Sequence, residues 1–377
     1  MVNYIDGAIR EAIGRGRSLM SKIPGSRTLG SHFSSLANFA NNEIGEIIDA
    51  LDRLYGDTTY SDPKNLKTKF SRFKMLAGML SKIENIVIAA MSRKSVDDDY
   101  VNKLVKEICS EINFPLPSPV ASCLSQKYYH IYPEYGLICI PLLESEFLLH
   151  IPDLYHELGH PLIELDNPKV TKFQNNLGYF NLGVKQHYEK EISRREMNKI
   201  SKDISDPIYI YKDSWLQKWS IEIFCDLFAT YTLGPAYLWS NLHMCSKMSW
   251  EVCKTPTHEI STHPAGDARM RCCLIALEQI GFEDDAREIR KKWNEFVQII
   301  GQIRTADYFI AYPEAILKSA AEFCLVGIKE IDCEITTPTT TGKVNRILND
   351  SWKQFWKDPQ KFQDWERTIV STFKENL

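Results

Sequence analysis

The sequence predicts a mostly helical α+β chain: helical regions at both ends and, between them, a small β-hairpin leading into a helix that bears two histidines. Three observations carry this. Apolar residues recur at three- and four-residue spacing over 36–54, 66–91 and 97–112, and the C-terminal eighty residues also read as helix. Two short stretches rich in β-branched and aromatic residues, 128–132 and 137–142, flank the turn Pro133-Glu-Tyr-Gly136. The run Tyr155-His-Glu-Leu-Gly-His160 sets His156 and His160 four apart, so both imidazoles leave a helix on one face.

Taken in order, the first thirty residues are locally basic, with Arg10, Arg15, Arg17, Lys22 and Arg27, and read as a solvated, partly flexible terminus. Helices are expected over 36–54, 66–91 and 97–112, the last opened by Asp97-Asp98-Asp99. Phe114-Pro-Leu-Pro-Ser-Pro119 breaks the pattern, which sets an N-terminal helical region at 1–112. In the hairpin that follows, Pro141 demotes the second strand to an edge, where a peptide can pair by strand addition. Pro152 and Asp153 suit the first turn of the histidine helix. Pro161, directly after the second histidine, should end or kink it.

A polar insertion is expected over 164–213, with a charged and solvated helix at 183–204. Ser214 is a cap for a helix that stops at Gly234-Pro235. Further helices are expected over 236–248, from Ser261-Thr262-His263-Pro264 to Gly281, and over 283–300; these close a central domain at 113–300. The C-terminal helical region, 301–377, holds helices at 313–331 and 344–377, separated by the threonine-rich 336–341.

Composition narrows the classes. The chain has 377 residues, 44% hydrophobic and 25% charged, as a globular protein does. A net charge of −4 supplies no global basic field for nucleic acid, and nucleic acid is not an expected partner. No apolar run reaches the roughly twenty residues of a membrane span, and Asp6, Arg10 and Glu11 interrupt any signal-peptide core. A cytoplasmic location is therefore expected, with the ten cysteines reduced and mostly buried.

The chemistry lies in three blocks. In the first, two neutral imidazoles one turn apart can hold one zinc ion, and Glu157 between them can take a proton from water at the open side. Catalytic zinc takes three protein ligands, so a third is needed. Glu222, in the second block Trp219-Ser-Ile-Glu-Ile-Phe-Cys-Asp226, is the candidate. Glu222 and Asp226 share one face of an otherwise apolar helix, a costly placement for two carboxylates unless they are paired or metal-bound. Glu222 then ligates the metal, and Asp226 accepts the spare N–H of His156. The plainer reading is a polar helix edge meeting solvent or a salt bridge. His187, His243 and His258 are weaker candidates for third ligand. In the third block, Thr262-His263-Pro264 is either a helix cap or a donor to a developing oxyanion, and Arg269 is placed to anchor a loop or a carboxylate.

Together, His156-Glu-Leu-Gly-His160, Glu222-Ile-Phe-Cys-Asp226 and Ser261-Thr-His-Pro264 with Arg269 resemble the gluzincin metallopeptidases, most closely the HtpX and CaaX-prenyl-protease group. The resemblance covers about residues 137–280. It implies a zincin-like catalytic core, zinc at His156, His160 and Glu222, Glu157 as general base, and His263 as transition-state stabiliser with Arg269 in support. The implied activity is zinc-dependent hydrolysis of peptide bonds in a protein or peptide substrate, as a site-specific regulatory, stress or defence protease. The alternative is an inactive binding or regulatory module on the same fold. Members of that group are membrane proteins, so this chain reads as a soluble offshoot, and its helical ends suit a regulatory protein partner.

Overall fold

The computed structural model describes residues 2–25, 31–125, 128–142, 144, 147–197, 206–247 and 251–376. Helix accounts for 73% of the chain, with one small three-stranded sheet, so the mostly-α (α+β) class holds. The chain divides into two compact units, one of residues 1–102 and 119–142, the other of 103–118 and 143–377.

The first unit contains α1 (Val2–Lys22), α2 (Ser34–Gly56), α3 (Leu66–Ser92) and the start of α4 (Val96–Glu111). The terminus expected to be solvated is instead a core helix: Ile5, Ile9, Ala12, Ile13 and Leu19 of α1 are buried with Ile44, Ile47 and Leu51 of α2. Their four- and three-residue spacing is a helical stripe, and the basic residues occupy the other face. There Arg15 pairs with Glu84. Arg27 lies outside the described residues. Among the described helices, α3 alone is long and apolar enough to cross a membrane by length and composition, with mean hydropathy 1.3 and a third of that window buried. It contains a π-helical segment, Ile83–Ile88.

The sheet belongs to the same unit. Strands β1 (Val120–Ser122), β2 (His130–Tyr132) and β3 (Leu137–Cys139) run in the order β1-β3-β2, with β3 parallel to β1 and antiparallel to β2. The hairpin exists, but its second strand is central rather than an edge. Pro141 lies beyond the end of β3, so it removes no ladder bond. Strand β1 follows the proline-rich break and escapes the sequence pattern because it is so short. Its Ala121 exchanges hydrogen bonds with the Asn102 side chain on α4, and Asp98 of α4 accepts from Cys123 N at 2.6 Å.

The second unit holds α5 (Asp153–Glu164), α6 (Thr171–Met197), α7 (Pro207–Ser214), α8 (Ser220–Leu233), α9 (Pro235–Lys247), α10 (Gly266–Gln279), α11 (Glu283–Ile299), α12 (Ala306–Ala311), α13 (Glu314–Glu330), α14 (Lys343–Lys357) and α15 (Phe362–Asn376). Several expectations change here. Pro161 sits inside α5, which continues to Glu164. Proline removes one N–H, and the fully buried Leu158 and Leu162 anchor the turns on either side of it. The insertion adds core ahead of the charged stretch: Phe173, Leu177 and Phe180 form a buried stripe on α6 with Val184 and Tyr188, and α6 packs on α13, while the other residues of 183–197 are exposed or half-buried, as expected of a charged helix. Residues 198–205, the end of that expected helix, lie outside the described residues.

Ser214 is no cap. Asp206 caps α7, accepting from Ile208 N, and a π-turn, Trp215–Trp219, joins α7 to α8 without a break. Helix α10 begins at Gly266, so His263 and Pro264 belong to the preceding loop. The last expected helix is two, α14 and α15. All ten cysteines are free thiols.

Candidate metal centre

Helices α5 and α8 cross at a point without side-chain bulk. A Cβ on Gly159 would lie 2.8 Å from Cys225 Cα, closer than atoms pack, so glycine is what allows the approach. The crossing brings the histidines of α5 against the carboxylates of α8. His156 and His160 have ring centroids 5.3 Å apart. His156 Nδ1 donates to Asp226 Oδ1 at 2.8 Å, and its Nε2 lies 3.5 Å from Glu222 Oε2. His160 Nδ1 lies 3.0 Å from Glu164 Oε1, one turn further along α5. Each imidazole therefore has Nδ1 held by a carboxylate, which leaves Nε2 of both rings as the nitrogen a metal would take. That is the usual outer-shell arrangement around histidine metal ligands.

Asp226 is the hub beneath the rings. It is fully buried, and Arg269 of α10 clamps it with two bonds, Nε to Oδ2 at 2.6 Å and Nη2 to Oδ1 at 2.5 Å. Tyr237 of α9 also donates to Asp226, and its hydroxyl lies 3.3 Å from His156 Nδ1. Burial opposes ionisation of Asp226, but the Arg269 guanidinium and His156 override it and hold the carboxyl well below its ordinary range. Glu222 behaves alike: burial opposes, and His156, Arg269 and His160 bring it down to about 2. His156 responds in the opposite sense. Burial disfavours its imidazolium, yet Asp226 and Glu222 raise its pKa to about 10. The pocket is built to stabilise positive charge between these groups.

Glu157 is buried on α5 between the two histidines. His263 has a 59% exposed side chain, with Nε2 3.7 Å from Glu222 Oε2. Its Nδ1 lies 2.9 Å from Thr262 Oγ1. The loop that carries it is pinned at several points: Ser261 N donates to Ser214 Oγ, and Ala265 N to the Tyr312 hydroxyl at 2.9 Å. Behind it, buried Asp267 accepts from Trp293, Arg304 and Tyr308. A cavity of about 570 Å³, lined by His263, Pro264, Val252, Thr255 and Pro256 among others, opens beside that loop.

The structure thus gathers His156, His160, Glu222, Asp226, Arg269 and His263 in one place. His243 is elsewhere, 5.3 Å from the ring of His150, and His187 lies against Tyr188. Three participants were missed from sequence. Glu164 was legible, since it follows His160 by four on one helix. Tyr237 carries no local signal. Cys225 joins His156 and His160 as a buried group whose donor atoms all lie within 4.8 Å of one another, a set able to hold a metal ion. Glu222 is outside that set; its Oε2 lies 3.5 Å from His156 Nε2.

Comparisons with models of protein families, with curated proteins and with solved structures give no match.

Proposed function

We propose that the chain is a zinc-dependent metallopeptidase with a zincin-like core, in which His156, His160 and Glu222 hold the metal. The observation that carries this is the pair of imidazoles whose Nδ1 atoms are both engaged by carboxylates, with Glu222 at 3.5 Å from Nε2 of His156. Two nitrogens and one carboxylate form a recurrent catalytic zinc donor set. When bound, zinc supplies acidified water and a polarised carbonyl. Glu157 takes the proton of the attacking water and delivers it to the leaving amine. His263, exposed at the rim, donates from Nε2 to the oxygen on which charge develops. Asp226, held by Arg269 and Tyr237, fixes the tautomer of His156 and raises its basicity.

A purely structural site has no need of Glu157, and its burial between the ligands favours turnover over a binding role. The test is Glu157→Gln. This variant should retain zinc and fold, and new peptide ends that appear in a cell extract treated with the wild-type chain should be absent. Equal cleavage by the variant rejects the mechanism.

A further inference from the structure

Cys225 stands on α8 three residues after Glu222 and one before Asp226, so it shares their side of the helix. Opposite it is Gly159, within the turn that joins the two ligand histidines. A Cβ at Gly159 would lie 3.0 Å from Cys225 Sγ, so the sulfur occupies space that any other residue would deny it. Sγ therefore comes within 4.8 Å of a ring nitrogen of His156 and one of His160. Cys225 is fully buried, and among the described residues its sulfur has no hydrogen-bond partner. The thiols of Cys245, Cys272 and Cys324, equally interior, each have one.

We propose that Cys225 is a further ligand of the same metal, its thiolate joining His156, His160 and Glu222 to make four protein donors and a closed resting centre. This inference rests on the zinc reading above and adds its regulation. Thiolate is a preferred zinc donor, and four protein donors characterise sites without an open position, whereas catalysis needs one position for water. A coordinating thiol is deprotonated outright, so on loading the Sγ proton passes to solvent. For hydrolysis the sulfur must give up its place to water, and the freed thiolate takes a proton back from solvent. The closed form keeps the peptidase latent until a substrate or partner favours the open one.

The experiment is X-ray absorption at the zinc edge of the full chain loaded with one equivalent of zinc, beside Cys225→Ala, Cys225→Ser and His156→Ala. The wild type should show sulfur at about 2.3 Å together with nitrogen and oxygen at about 2.0–2.2 Å. Cys225→Ala should keep zinc and lose the sulfur shell, and Cys225→Ser should replace sulfur with oxygen. Zinc bound in the wild type by nitrogen and oxygen alone overturns thiolate ligation and leaves the peptidase reading standing. A sulfur shell that persists in Cys225→Ala also overturns it. No zinc uptake, or uptake undiminished in His156→Ala, overturns the zinc reading itself. Should Cys225→Ala fail to fold, the cobalt-loaded wild type decides, because a thiolate ligand gives a sulfur-to-cobalt charge-transfer band and its absence rejects the ligand.

Discussion

In the proposed centre His156 would meet opposite demands in the metal-free and metal-bound protein, and that makes its ionisation measurable. Its pKa is raised to about 10, so its contribution to metal-free stability is complete below the unfolded value of about 6.5 and is lost as pH rises through 10. Glu222, lowered to about 2, contributes fully above about 4.3 and loses that contribution as pH falls toward 2. Metal-free stability should therefore peak between about 4.3 and 6.5 and decline on both sides. Zinc bound as proposed would replace the proton on His156, so zinc loading should flatten the alkaline limb. Urea unfolding across pH, with and without zinc, checks both limbs. Asp226 is the residue most exposed to loss. Asp226→Ala strands the buried Arg269 charge and should cost about 3–5 kcal/mol in urea unfolding. It should also weaken zinc binding by roughly ten- to a hundred-fold in a chelator competition. The histidine spacing and the Glu222–Asp226 pair were legible in sequence because each follows helical periodicity or a burial conflict, whereas Arg269 was flagged only as an anchor for a loop or a carboxylate, and the carboxylate is Asp226. Tyr237 was not, because only tertiary packing brings α9 to Asp226.

Among the elements, the crossing of α5 and α8 sets the geometry of the centre. Gly159→Ala places a methyl 2.8 Å from backbone at Cys225, which no side-chain rotation relieves. Helix α8 must then move away and take Glu222 and Asp226 with it. The expected result is a loss of about 1–3 kcal/mol with a matching fall in zinc affinity. Unchanged affinity would show that the crossing does not position the ligands. Helix α5 also shows why proline chemistry alone misjudged Pro161: one missing N–H matters less than burial of the turns on both sides of it. The same lesson applies to α1 and α6, whose charged residues drew attention from the buried stripes Ile5-Ile9-Ile13 and Phe173-Leu177-Phe180. The strand order went unread because β1 is three residues long and its partner lies beyond the hairpin turn.

For the whole molecule, every described tryptophan falls in the unit that carries the candidate metal centre, at positions 215, 219, 239, 293, 352, 356 and 365. Tryptophan fluorescence therefore reports that unit alone. Zinc at a hundred times its dissociation constant should stabilise the fluorescence transition by about 2.7 kcal/mol. The central claim is that His156, His160 and Glu222, borne by two helices, hold one zinc ion. Zinc content after dialysis of the metal-loaded full chain, compared with His156→Ala, His160→Ala and Glu222→Ala, tests it most directly. One zinc per chain in the wild type, held with clearly lower affinity in each of the three variants because Cys225 still leaves three donors, is the predicted result. A wild type that retains no zinc, or a Glu222→Ala chain that holds it undiminished, would contradict the account.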